Sequence, residues 1–200
     1  MIAALVPAAG QSRRMGQPKL LLTIGGQALI ARVVSALRKG GAGQVVVVAP
    51  PSAEPGAQAL RDEAGSAGAH VVTLSEPTSD MRSTIEAGLD WLEHSCDGVP
   101  DALLLAPGDS PGLTPALVSQ VIDFARAQPG AIVVPTFGGR RGHPVLLPWS
   151  IAQAIRSLPL GTGVNALTAD RGSGLVTLEV GDPGTLADLD TPEDYSRWGP

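Results

Sequence analysis

Short unbroken apolar runs alternate along this chain with stretches of helical period. Residues 2–6 (IAALV) show no polar alternation, the pattern of a strand buried on both faces. Leu29, Ile30, Val33, Val34 and Leu37 then recur at helical spacing, and Gly40 and Gly41 stop that helix. Residues 44–49 (QVVVVA) predict a second buried strand, ended by Pro50-Pro51. A polar, Ala-rich stretch at 54–67 predicts a surface helix, and residues 70–74 a third strand. Residues 81–92 set Ile85, Leu89 and Leu92 on one helical face, and 101–106 (DALLLA) is a fourth strand. Thr114 caps a helix through residue 127, with Pro115 at its first position. A fifth strand at 131–135 follows, then a strand at 145–147, helices at 149–157 and 163–169, and a strand at 175–180.

This alternation predicts one α/β domain over residues 1–200, a Rossmann-like three-layer α/β/α arrangement around a mostly parallel sheet. The length suits one well-buried domain. With aromatics at only 3%, the core has to be built from Val, Leu, Ile and Ala. A formal charge of −5 and the lack of a basic helix argue against a nucleic-acid surface. Cys96 is the single cysteine, so no internal disulfide or CxxC metal pair forms. No stretch reaches the roughly 20 apolar residues of a membrane span, and no basic segment precedes the opening apolar run as in a signal peptide. A cytoplasmic protein without a membrane partner is expected.

In parallel α/β sheets, ligands bind beyond the carboxyl ends of the strands. Three loops there carry unusual chemistry. In PAAGQSRRMGQPK (residues 7–19), Ala8, Ala9 and Gly10 allow close backbone approach, and Arg13, Arg14 and Lys19 add cations suited to a polyphosphate. The loop is neither a Walker A motif nor GxGxxG. In PGDSPG (residues 107–112), Asp109 is a candidate Mg²⁺ ligand, or else a plain turn residue. In GGRRGHPV (residues 138–145), Arg140 and Arg141 suit a second anion, and His143 offers a polar contact; a simple hairpin is the plainer reading. Near the end, LADLDTPEDY alternates Asp188 and Asp190 around Leu189, so one of the two can complete a metal site with Asp109. Thr191-Pro192 there is a helix start.

Taken in order, PAAGQSRRMGQPKLLL, GDSPGL, GHPVLL and DLDTPEDY resemble the nucleotidyltransferases of the molybdenum-cofactor group, their cytidylyltransferase branch most, over nearly the whole chain. The resemblance implies that Ala8, Ala9 and Gly10 contact base and ribose, while Ser12, Arg13 and Lys19 hold the triphosphate. It implies Mg²⁺ on Asp109 and Asp190, favouring Asp190 over Asp188, a nucleotide-side role for Ser83 in DMRSTIEAGL, and an acceptor-side role for His143. Arg13, Lys19 and Asp109 are thereby the catalytic candidates. An Ala-Gly pair, here Ala9-Gly10, goes with CTP in that group, and Gly-Gly with GTP. The implied partners are an NTP, CTP favoured, a phosphorylated small-molecule acceptor, and a molybdoenzyme maturation factor met in transient contact. Departures are Gly161-Thr162-Gly163 in place of a glycine-flanked Asp, Pro7 in place of Leu, and APGD before Ser110. Two other functions stay open: a same-fold transferase acting on a sugar phosphate or other small phosphorylated acceptor, and a nucleotide- or cofactor-binding module without turnover. A dinucleotide-dependent dehydrogenase is disfavoured, because no GxGxxG follows the first strand and no acidic residue ends the second.

Overall fold

The computed structural model describes residues 1–10, 15–78, 80–95, 98–158, 166 and 174–199. In chain order the elements are β1 (Ile2–Pro7), β2 (Thr23–Ile24), β3 (Gln27–Ala28), α1 (Leu29–Lys39), β4 (Gln44–Ala49), α2 (Ala57–Ser66), β5 (His70–Thr73) and α3 (Met81–Ser95). They continue as β6 (Ala102–Leu105), α4 (Pro115–Arg126), β7 (Ile132–Phe137), β8 (Arg140–Arg141), β9 (Val145–Pro148), α5 (Trp149–Gln153), β10 (Leu175–Glu179) and α6 (Pro192–Trp198). The main sheet runs β10-β7-β9-β6-β1-β4-β5, with β8 paired to β7. Strand β1 lies parallel between β4 and β6, β5 is parallel to β4, and β10 is parallel to β7. Only β9 and the short β8 reverse the direction.

The unbroken apolar strands are explained by their two faces. Ala4, Val6, Val45 and Val47 join one buried cluster with Val33, Leu37, Leu60 and Val118 of α1, α2 and α4. Ala3, Leu5, Val46 and Val48 join a second with Ile85, Leu89 and Leu92 of α3 and Ile155. Alternate residues of each strand therefore enter different cores, and neither face tolerates a polar residue. This is the three-layer, mostly parallel architecture that the pattern predicts.

Departures from the predicted elements are local. The helix expected at 54–67 begins at Ala57, since Pro55 and a left-handed Gly56 (φ 77°) precede it. The stretch at 149–157 divides into α5 and a 3₁₀ turn, Ala154–Ser157. The β2–β3 hairpin was not foreseen. Cys96 and the helix expected at 163–169, apart from the helical Ala166, lie outside the described residues, as does Gly161-Thr162-Gly163.

Both predicted caps form. The Thr114 side chain accepts from the Leu117 amide at 3.2 Å. Thr191 and Asp194 make a reciprocal capping box at the start of α6. That helix also holds the β2–β3 hairpin, through a 2.9 Å bond from the Tyr195 hydroxyl to the Thr23 carbonyl. Thr191→Ala is expected to cost about 1 kcal/mol. The thermal midpoint should then fall by about 2–4 °C in a melt followed by circular dichroism.

Candidate active site

Strands β1, β4, β6 and β7 all end at one edge of the sheet, and the predicted loops gather there. After β1, the Ala8 amide donates to the Val48 carbonyl at 2.9 Å, which fixes the loop against β4. Ala8 and Ala9 are buried, whereas a side-chain carbon at Gly10 would meet open space. Ser12, Arg13 and Arg14 lie outside the described residues. The chain returns through buried Met15 to a 3₁₀ turn, Lys19–Leu21.

Lys19 sits at the centre of the edge. Its ammonium donates to Asp109 Oδ2 at 2.5 Å and to Asp190 Oδ1 at 2.8 Å. Burial alone would lower its pKa; the bonds and charges of the two carboxylates outweigh that and raise it. Lys19 therefore stays a cation. Three segments far apart in sequence meet at this one nitrogen, and Asp190 rather than Asp188 is the one that reaches it. Leu189 between them is fully buried, so the period-two reading of this stretch holds. Asp188 is held above the usual carboxylate range, first by desolvation and then by the charges of Asp109 and Asp190.

Backbone contacts hold the two carboxylate loops together. The Leu189 amide donates to the Asp109 carbonyl at 2.9 Å. A side-chain carbon on Gly112 would stand 2.4 Å from the Gly184 Cα, and one on Gly142 would stand 2.4 Å from the Thr185 carbonyl oxygen. Segment 183–190 is thus wedged between the loops after β6 and β8, a fit that only glycine allows at both points. Gly112→Ala should push that segment away and separate Asp190 from Lys19. Expected results are a stability loss of about 1–3 kcal/mol and a fall in kcat of roughly tenfold. Denaturant unfolding and steady-state turnover check the two effects separately.

His143 lies within the electrostatic reach of Asp109. Its backbone amide donates to the Thr185 carbonyl at 2.9 Å, and its own carbonyl accepts from the Thr185 hydroxyl at 2.8 Å. Its Nδ1 is buried without a hydrogen-bond partner among the described residues. Burial lowers its pKa against the opposing pull of Asp109, so the ring is neutral near pH 7. Arg140 and Arg141 are exposed on β8. Ser83 is not brought to the site: it is exposed on α3, and the helical twist turns Asp80 and Thr84 toward the crevice instead. Both lie in DMRSTIEAGL, the segment the sequence reading placed near the nucleotide, though it picked out Ser83 alone. Asp80 had one available signal, its position just before a helix, where its carboxylate accepts from the Arg82 amide at 3.0 Å.

Two cavities meet at Ala8, Ala9 and Gly10. One, of about 390 Å³, holds Lys19, Asp109, Asp190 and Thr84. The other, of about 440 Å³, is walled mainly by apolar groups, including Pro18, Leu20, Pro50, Pro51 and Leu60. A charged half joined to an apolar half suits a ligand with a polyphosphate at one end and a planar ring at the other. Among the described residues no group of three or more His, Cys, Asp or Glu stands ready for a metal. The two carboxylates do converge on one cation, however. That donor set fits Mg²⁺, which takes few protein carboxylates and completes its shell with water and phosphate oxygens.

The chain is a member of the MobA-like NTP transferase domain family, whose model matches residues 4–174. It is 31% identical over 202 residues to the molybdenum cofactor guanylyltransferase of Rhodobacter capsulatus, covering 98% of this chain and 94% of the relative. Its fold is similar to that of the Rv0371c protein of Mycobacterium tuberculosis, with a TM-score of 0.82 at 25% identity over 98% of this chain and 97% of the other. A manganese complex of that mycobacterial protein superposes with a TM-score of 0.76 at 24% identity, covering 98% of this chain and 97% of the other. A nucleotidyl transferase from Methanothermobacter gives 0.79 at 26% identity, over 98% and 95% of the two chains. Among the described residues no helix is long and apolar enough to cross a membrane.

Proposed function

We propose that this chain, acting as one nucleotidyltransferase domain over residues 1–200, transfers CMP from CTP to a phosphorylated acceptor of the molybdopterin type in the cytoplasm. The observation that carries this reading is the meeting of Lys19, Asp109 and Asp190 beside a small-residue loop and a ring-sized apolar cavity. An acceptor phosphate oxygen attacks the α-phosphorus of the nucleotide, the bond to the bridging α–β oxygen breaks, and pyrophosphate leaves. No covalent enzyme intermediate is required. Ala8, Ala9 and Gly10 receive base and ribose, and Ser12, Arg13 and Lys19 hold the triphosphate. Lys19 and Arg13 stabilise the charge that grows on the leaving pyrophosphate. Asp109 and Asp190 would hold Mg²⁺, which when bound would supply positive charge to offset that of the reacting anions. Neutral, buried His143 helps shape the acceptor side. The product passes to a molybdoenzyme maturation factor by transient contact.

The Ala9-Gly10 pair supports CTP. The guanylyltransferase name of the Rhodobacter relative favours GTP as a second reading. Pyrophosphate release with CTP, GTP, ATP and UTP, each with Mg²⁺ and a molybdopterin-type acceptor, separates them. The proposal expects CTP to give the highest kcat/KM. Release that is fastest with GTP moves the assignment to guanylyl transfer, and acceptor-independent rates refute the acceptor class.

A further inference from the structure

The apolar cavity raises a chemical problem that its walls cannot solve. Cytosine and uracil have the same outline and nearly the same volume, so a pocket of Pro, Ala and Leu surfaces holds both alike. They differ at one edge, where cytosine presents an amino group and uracil a carbonyl oxygen. A hydrogen-bonding group of fixed sign is needed to tell them apart, and where one exists discrimination is strong.

Glu54 is the one charged residue among the described residues that line this cavity. It lies in the loop between β4 and α2 and is partly buried. Its carboxylate has no hydrogen bond or ion pair among the described residues; only its backbone is engaged, with its amide donating to Pro51 and its carbonyl accepting from Ala57. The other polar side chains on the lining do not supply a fixed sign. Thr78 is already engaged with Asp80, accepting from its amide and donating to its carbonyl. Gln17 is exposed, and an amide can present either a donor or an acceptor. An ionised carboxylate can only accept. It bonds well to a nucleobase amino group. It repels a carbonyl oxygen, and the single ring N–H of uracil is flanked by two such oxygens.

We infer that Glu54 is a specificity-determining residue that reads the base: it selects nucleotides whose base offers an amino group and excludes uridine nucleotides. This rests on the reading of the two joined cavities as a nucleotide site, and it holds for cytosine, guanine or adenine alike. Hydrogen bonds to charged groups correspond to a preference of about ten- to hundredfold. Guanine, with two adjacent N–H donors, gains most if its edge reaches the carboxylate.

Calorimetric binding of each of the four NTPs with Mg²⁺, without acceptor, to wild type and to Glu54→Gln tests the inference. Glutamine keeps the shape of the side chain but can turn its amide to donate to the uracil carbonyl. Wild type should bind CTP at least tenfold more tightly than UTP, and the variant should cut that ratio by about tenfold through a gain in UTP affinity. A loss of stability alone would weaken all four nucleotides together and leave the ratio unchanged. Wild type that binds UTP as well as CTP, or a ratio that Glu54→Gln leaves in place, overturns the inference while the nucleotide site stands. Failure of wild type to bind any NTP overturns the site reading itself, and the inference with it.

Discussion

Asp109→Asn should lower kcat by about 10²–10³-fold while leaving the protein folded. The carboxylate contributes charge to the site and little to the fold. The bond that ties this loop to segment 183–190 runs from the Leu189 amide to the backbone carbonyl of Asp109, and asparagine keeps it. Lys19 also keeps Asp190 as a partner in the variant. What disappears is one of two negative charges converging on a single cation site. Affinity for Mg²⁺ or Mn²⁺ in the presence of CTP should therefore drop together with kcat, whereas the melting curve should shift only slightly. Steady-state kinetics, Mn²⁺ titration by electron paramagnetic resonance and a thermal melt provide the three readouts. Full activity in Asp109→Asn would reduce Asp109 to a turn residue.

Lys19→Met should produce two effects of opposite direction. The ammonium is expected to hold the triphosphate during reaction, so kcat/KM should fall by about 10²–10³-fold. In the ligand-free protein, however, that ammonium lies within 2.8 Å of both carboxylates, where a divalent ion would have to bind. Without nucleotide, lysine and metal compete for the same two anions. Removing the lysine should tighten Mn²⁺ binding by about tenfold or more, even as it damages turnover. A lysine that acts only on phosphate would give the kinetic loss with no change in metal affinity. One that props up the site structurally would give looser metal binding. The competition also implies that nucleotide, by drawing Lys19 toward phosphate, makes the carboxylates available to the ion.

Much of the fold was legible because its central strands are buried on both faces. The strands predicted at 2–6, 44–49 and 101–106 read as apolar runs, broken only by the polar first residues Gln44 and Asp101, since alternate side chains enter two different cores. The caps at Thr114 and Thr191 were legible because capping is a local event. The β2–β3 hairpin was not, because two residues per strand are too few to show a period. Its signal lay in Gly25-Gly26, both left-handed (φ 58° and 78°), a pair that favours a tight turn. At the candidate site, the sequence offered Lys19, Asp109 and either Asp188 or Asp190. It could not show that one ammonium joins positions 90 and 171 residues away, because that contact depends on packing between loops. The close approaches at Gly112 and Gly142 are of the same kind. Ser83 is exposed while its neighbour Thr84 lines the cavity, and which of the two faces inward depends on helix rotation against the sheet. Glu54 was read as part of a surface helix, and only the cavity beside it gives it a different role.

The most direct test of nucleotidyl transfer is to follow isotope from CTP labelled at the α-phosphorus, and separately at the γ-phosphorus, in the presence of Mg²⁺ and a molybdopterin-type acceptor. The account predicts α-label in the acceptor, linked through a new phosphoanhydride, and γ-label in pyrophosphate alone. Label from the γ-position on the acceptor, or α-label recovered only as free CMP, would contradict it.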